Sequence, residues 1–482
     1  MNQLELIGTA YYSAIALGFA FLAIVGLGLM LQVDRYLGRW VAFYIVPAMG
    51  LGTALSSALS GRDLKYAFAS IDALSSGPQG GTSLLRIVTA GIVGMCAATV
   101  IAKLFRRGSE KTQPLPGQIL FATFAAFFLC NAIFNAAFGV VPSFSHNSLY
   151  LPIAFAAVYQ WRNEPIETFV RLAKWMLAAF MIGSLVLAVA KPSLAVQPNY
   201  KGWVPGLSIR LWGLGFNPNS IGPLALLLLL LEWMRPSSRL AWRCLIWGVG
   251  IAVLVLAQSK TAWVAGFAVS FVVAWYRFGR APGGGMRIGF ALTLIAVMLL
   301  FSVPLVFFDL GRIWDRIAAT QIGFEVSTLT GRSQIWAAAI DAWQQNLVFG
   351  YGPNVWGPEH RAAIGMPFAF SAHNQFLQSL SSAGALGLIS LLAYLFVLGV
   401  YCSRAANISH GVSTALFLMV LIRCFTEVPL SVGGLLTGDA VTQLILFRLA
   451  LAGALTNKSK SISREILPER KKFIGGAKIL NV

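Results

Sequence analysis

The sequence predicts an all-α polytopic membrane protein of about 12–13 transmembrane helices, with one large extracytoplasmic loop that carries short interfacial helices. Three observations predict it. Hydrophobic residues make up 57% of the 482 residues and charged ones 11%, with a mean hydropathy of +0.73, more apolar than a water-soluble domain requires. The apolar residues gather in runs close to the roughly 20 that a bilayer core requires. The basic excess, 36 Lys+Arg against 17 Asp+Glu, falls in short loops between those runs, which favours a positive-inside arrangement over a nucleic-acid surface.

The runs lie near 10–31, 37–59, 84–104, 118–139, 146–160, 172–190, 219–234, 241–257, 261–276, 287–308, 374–402, 412–426 and 436–455. The first is too long for a signal-peptide core and lacks a small-x-small cleavage site before Gln32-Val33-Asp34, so it is expected to remain as a helix. With the N-terminus outside and the C-terminus inside, about 23 Lys/Arg fall on the cytoplasmic side and about 11 on the outer side, with Arg423 and Arg448 inside spans. The expected organisation is ten spans over 1–308, an extracytoplasmic loop over 309–372, three spans over 373–455 and a basic cytoplasmic tail over 456–482. Cys96, Cys130, Cys244, Cys402 and Cys424 lie within or at the ends of apolar stretches without paired spacing. They read as small buried residues rather than a metal site or disulfide framework.

The loop 309–372 is the largest polar stretch. In it Ile313, Trp314 and Ile317, then Ile335, Trp336, Ala339, Ile340 and Trp343, recur at helical spacing, as suits helices lying in the interface with Trp at headgroup depth. Arg332 precedes the second of these between Gly331 and Ser333, where a guanidinium meets the positive end of a helix and any anion held there. A solvated surface arginine is the plain alternative. The segment Phe349-Gly350-Tyr351-Gly352-Pro353-Asn354 reads as a chain reversal rather than a phosphate loop.

His373 stands where the loop re-enters the membrane, followed by Asn374 and a long apolar run. An imidazole there can accept a proton near neutral pH, and Asn374 could orient it or the substrate, although a lone histidine is more often structural. Two further outer turns carry cations. Arg210 precedes Asn217-Pro218-Asn219 at a helix entry, a setting that attracts phosphate or anchors to lipid headgroups. Lys260 sits in the tight Gln258-Ser259-Lys260 turn, where snorkelling to the interface is the commoner fate. The chain has no Asp-x-Asp, no His-x-x-x-His, no P-loop and no Gly-x-Ser-x-Gly, so metal, nucleotide and serine-hydrolase chemistry lack their usual ligands and no cofactor is expected.

Taken together, Arg210 with Asn217-Pro218-Asn219, Ser259-Lys260-Thr261, Gly331-Arg332 with Trp336, Phe349-Gly350-Tyr351-Gly352 and His373-Asn374 resemble the O-antigen ligase and polymerase superfamily. The resemblance covers roughly 205–400 by motif and the whole chain by hydropathy. It implies a glycosyltransferase of the bacterial inner membrane with its large loop in the periplasm, taking its glycan from undecaprenyl diphosphate. The acceptor would be a glycan or lipid A core, beside the lipid bilayer and with polysaccharide assembly or export proteins as candidate partners. By position, Arg210 and Arg332 match the arginines that grip the donor diphosphate, and His373 the loop-end histidine. Lys260 stands where the family often has Arg, and it would bind phosphate without a bidentate fork. Asn219 and Asn374 complete the expected substrate contacts.

A sugar–diphosphate bond leaves a multiply charged anion that fixed cations stabilise. His373 is the expected base for the acceptor hydroxyl, with Glu325 and Glu359 as alternatives, and in-line displacement implies inversion. The Gln258-Ser259-Lys260-Thr261 sequence resembles exopolysaccharide members of the family, which tilts the reading toward an exopolysaccharide or O-antigen polymerase over a ligase. A lipid-linked oligosaccharide flippase, with Arg423 and Glu427 as an intramembrane pair, and a non-catalytic export scaffold are the competing classes. The transferase reading requires Arg210, Lys260, Arg332 and His373 to converge on one cavity.

Overall fold

The computed structural model describes residues 40–66, 82–106, 116–200, 206–278 and 332–455, together with positions 25, 26, 28, 29, 32, 202 and 204. The expected spans at 10–31 (apart from isolated positions) and 287–308, the first part of the large loop with Ile313, Trp314, Ile317 and Glu325, and the basic tail lie outside the described residues.

The fold is helical and polytopic. In chain order come α1 (Trp40–Ala58), α2 (Thr82–Arg106), α3 (Gln118–Phe138), α4 (Tyr150–Gln160) and α5 (Ile166–Ala190). A two-residue antiparallel pairing follows, β1 (Val196–Gln197) with β2 (Arg210–Leu211), setting Gln197 opposite Arg210. Next are α6 (Pro218–Met234), α7 (Leu240–Leu256) and α8 (Lys260–Phe278). Within the loop lie α9 (Arg332–Gln344) and α10 (Pro358–Ala363), and then α11 (Gln375–Ala405), α12 (Val412–Cys424) and α13 (Gly438–Leu455) complete the described chain. Among the described residues six helices are long and apolar enough to cross a membrane, namely α1, α2, α3, α5, α11 and α13, while α6, α7 and α12 are shorter and apolar.

The bundle interior is built on α6 and α13. In α13, 83% of the apolar window is buried, so this helix faces protein rather than lipid. Phe124 of α3 stacks on Phe155 of α4 at 4.0 Å and meets Tyr394 of α11 edge-on at 5.6 Å, while Phe447 of α13 packs 4.8 Å from Phe155. Ring shape and close packing carry this association, because lipid tails offer side chains as apolar a medium as the bundle does. At one end of α5 and α6 the buried pair Lys174–Glu232 closes at 2.8 Å. Lys174 also donates to Arg235 O and Ser237 Oγ, and Glu232 accepts from Ser237, so both buried charges are partnered.

Two sequence irregularities shape the end of the bundle that carries the large loop. Pro223 lies inside α6 and has no N–H to give the carbonyl four residues back. That carbonyl, Asn219 O, accepts instead from Arg423 Nη2 of α12 at 3.1 Å. The second lies in α11, whose helix is broken at Gly384 with φ 65° and ψ −161°, a conformation suited to glycine. Residues of the glycine-rich segment fill the break. Tyr351 N and Gly352 N donate to Ser381 O and Ser382 O, and Ala385 N donates to Leu347 O. On its other edge Val140 N and Val141 N donate to Gly350 O and Tyr351 O. The Phe349–Asn354 motif therefore reverses the chain and also satisfies backbone groups that the broken helix frees, a need that is strict away from water.

The described part of the loop packs beside this suture. Ala339 and Ala342 of α9 join Val355, Trp356, Ala369 and Ala372 in a small core of their own, and Trp336 Nε1 donates to Ala372 O at 3.0 Å. That contact ties the start of α9 to the residue before His373.

Candidate functional site

The site is assembled by helix starts. Asn217 caps α6 by a reciprocal box with Ser220, with Pro218 at the first position, which sets Asn219 in the first turn. Asn374 caps α11, its Oδ1 accepting from Phe376 N and Leu377 N at 2.9 and 3.1 Å, which fixes the residue before it, His373. Arg332 is the first residue of α9, and Ser259 immediately precedes α8. His373 has φ 47° and Gln258 has φ 45°, left-handed values that cost a non-glycine residue energy and that gather at functional sites.

The turn bearing Arg210 is fastened from below. Arg62, buried beyond the end of α1, donates to the carbonyls of Leu194 and Gly215 at 2.7 Å each and also to those of Gly213 and Phe216. Burial lowers its pKa to about 10. Gln258 Nε2 donates to Ile209 O at 2.7 Å, and Arg210 Nε donates to Ala257 O at 3.1 Å with its guanidinium 4.6 Å over the Tyr200 ring. The tip of the α7–α8 turn thus holds the arginine from the other side.

All of these elements meet at Glu427, just past the end of α12. Its Oε1 accepts from Asn219 Nδ2 at 2.7 Å and lies 3.4 Å from Arg332 Nη2, while its Oε2 lies 3.2 Å from His373 Nδ1. Arg210 Nη2 donates to Asn219 Oδ1 at 3.1 Å, and Ser259 Oγ to the same oxygen at 3.3 Å. Thr261 and Thr426 hydroxyls are 3.0 Å apart. One carboxylate therefore connects the starts of α6, α9 and α11, and the start of α8 joins the cluster through Asn219 and Thr426. Helix N-termini carry partial positive charge, so fixed dipoles and side-chain cations have the same sign here.

Glu427 is ionised in these surroundings. Burial pushes its carboxyl up, but the hydrogen bond and charge of His373, then Arg332 and Arg423, outweigh burial and hold the pKa below the ordinary value. Arg210 moves down from its ordinary value, chiefly through desolvation, with Tyr200 and Glu427 opposing that shift.

The structure brings Arg210, Asn219, Arg332 and His373 into one hydrogen-bonded cluster. Lys260 opens α8 between Ser259 and Thr261, both of which contact the cluster. Asn374, expected to touch substrate or His373, spends its side-chain oxygen on the helix cap instead, because four backbone amides at a helix start need acceptors. Glu359 is exposed in the first turn of α10. The expected Arg423–Glu427 pair makes no direct side-chain contact: Arg423 bonds Asp439 Oδ1 at 2.6 Å and Glu427 bonds Arg332 and His373, although Arg423 lies near enough to help lower the Glu427 pKa. Sequence reasoning missed Glu427 as the hub, together with Arg62 and Asp439. A glutamate four residues after a buried arginine was the available signal, and it pointed to the wrong partner.

Residues 244–392 match the family described as O-antigen ligase. That stretch holds the Ser259–Lys260–Thr261 turn, Arg332, the glycine suture and His373, whereas Arg210, Asn219 and Glu427 lie outside it. No curated protein matches the chain.

Proposed function

From a chain whose residues 244–392 carry the O-antigen ligase pattern, we propose a membrane-embedded glycosyltransferase that moves a glycan from undecaprenyl diphosphate to an acceptor sugar. It works at the periplasmic face of the bacterial inner membrane. The observation that carries this reading is the convergence of Arg332, His373 and, through Asn219, Arg210 on Glu427. A site bordered by two arginines, a histidine and four helix starts suits a diphosphate, whose charge grows as the sugar leaves.

The acceptor hydroxyl oxygen attacks the anomeric carbon as the bond to diphosphate breaks, and the electron pair departs on undecaprenyl diphosphate. Arg210 and Arg332 stabilise that leaving anion. The hydroxyl proton passes to His373 Nε2, while Nδ1–H donates to Glu427 Oε2, the tautomer that the 3.2 Å contact favours. Glu427 thus orients the base and stabilises the imidazolium. Attack opposite the leaving group inverts the anomeric centre.

The flippase alternative places cations along a mid-membrane path. Here Arg423 is tied to Asp439 and Asn219 O, and Arg448 donates to Glu164 O, which makes both structural ties. Reconstituted protein should release undecaprenyl diphosphate from a lipid-linked oligosaccharide when acceptor is supplied. Donor alone giving a lengthening ladder marks a polymerase, and transfer only to lipid A core marks a ligase. Full release by both Arg332→Ala and His373→Ala would remove the catalytic assignment, and scrambling without transfer would support the flippase.

A further inference from the structure

Next to Glu427 in sequence, at Val428, the chain borders a cavity whose chemistry differs from that of the charged cluster. It has a volume of about 190 Å³. Asn131, Asn135, Ser145, Ser148, Gln378 and Ser382 line it, and Val428, the residue after Glu427, is on its wall. Among the described residues no Lys, Arg, Asp or Glu lines it. A wall shared between amides and hydroxyls on one hand and apolar groups such as Phe127, Leu430 and Val432 on the other, without charge, offers donors, acceptors and an apolar face in a small space, which matches a polyhydroxylated neutral ring better than an ion or a purely apolar chain.

The walls are held rigidly. Asn131 Nδ2 donates to Phe127 O, Gly387 O and Ser390 Oγ at 3.0, 3.1 and 3.3 Å, bridging the π-helical stretch Leu129–Phe134 of α3 to α11 just past its break. A π turn is a recurrent mark of functional sites. Gln375 Oε1 and Gln378 Oε1 accept from Leu430 N and Ala372 N, both at 2.9 Å, so both amides are fixed in orientation. Asn135 is 1% exposed, and its Oδ1 is a buried acceptor without a donor among the described residues. Buried acceptors are rarely left so, and Asn135 is one of the residues that line the cavity.

The geometry points to this cavity as a subsite for one neutral sugar residue of the glycan handled at Glu427, an inference that rests on the transferase reading. The sugar belongs either to the acceptor or to the lipid-linked donor, and the kinetic arms below separate the two. Two variants test it. Asn135→Leu removes the orphan acceptor at similar size, and Ser145→Trp fills the exposed rim without entering the core.

Saturation-transfer NMR on the detergent-solubilised full chain, with glucose, galactose, N-acetylglucosamine, rhamnose and glucuronic acid as probes, reads binding directly. At least one neutral sugar should give a signal that Ser145→Trp abolishes and Arg332→Ala retains, with glucuronic acid giving less. No neutral-sugar signal, equal signal from glucuronic acid, or a signal that survives both cavity variants overturns the subsite. In turnover, each variant should raise one KM about tenfold, the loss expected for one to two buried hydrogen bonds. A rise for the acceptor marks an acceptor subsite, and a rise for the donor marks a donor subsite. If release is never seen while the Trp-sensitive sugar signal persists, the transferase reading falls and the subsite stands. If release proceeds and both variants keep the wild-type KM values, the subsite falls and the transferase reading stands.

Discussion

Replacing Glu427 by Gln keeps the size of the side chain and removes the charge that His373 and Arg332 face. At 3.4 Å and an effective dielectric of about 20, the Arg332 pairing has a gross attraction of about 5 kcal/mol. Desolvation and partial exposure reduce this, and the net loss for one charge-assisted hydrogen bond is about 1.5–3 kcal/mol. If that loss falls on the transition state, kcat drops by about 10- to 150-fold. The amide also presents an NH2 group to one of its neighbours, so His373 is no longer assured an acceptor at Nδ1. The assay is release of undecaprenyl diphosphate from a lipid-linked oligosaccharide, with Glu427→Asp expected to recover part of the rate. The folded-state pKa of Glu427 is lowered, so its stabilising contribution is fully present above the ordinary value of 4.5 and is lost as pH falls through the lowered one. The thermal-stability advantage of wild type over Glu427→Gln should therefore hold at neutral pH and shrink in acid. Wild-type kcat in Glu427→Gln, with a stability difference that ignores pH, would refute the orienting role.

Three other outcomes follow from the same geometry. Arg332→Lys keeps the charge but loses the planar fork, so kcat/KM should fall about tenfold, the equivalent of one charge-assisted bond, with Arg332→Ala losing more in steady-state kinetics. Gly384→Ala places a Cβ against Val348 O at a positive φ, and should lower unfolding stability by roughly 2–5 kcal/mol, read as a fall in Tm in detergent. Arg62→Met strands the carbonyls of Leu194, Gly213, Gly215 and Phe216; a cost of about 2–4 kcal/mol and a loss of transfer are expected, with helical circular dichroism retained.

The legible part of the fold was what periodicity and hydropathy dictate. The apolar runs found α1, α2, α3, α6, α7, α8, α12 and α13 to within a few residues, because a bilayer penalises any other arrangement of such segments. The break in α11 was not legible. A single Gly384 inside an apolar run is ordinary in a membrane helix, and the segment that fills it, 347–352, lies over 30 residues away in sequence. In the site, Arg210, Arg332 and His373 stood out because cations at the entry to apolar helices are chemically conspicuous. Glu427 did not, because its partners come from three other segments and four-residue spacing suggested Arg423 instead. The capping part of Asn374 was not legible, because the same amide that can touch a substrate also makes an effective N-cap, and sequence alone does not show which atom does which. Arg62 escaped notice because its partners are backbone carbonyls, which leave no trace in residue type.

The most direct test of the central claim is acceptor-dependent release of undecaprenyl diphosphate by the purified, reconstituted chain, compared with its His373→Ala and Arg332→Ala variants. The account predicts release by wild type and near-complete loss in both variants with helical circular dichroism retained. Equal release by all three proteins would contradict it.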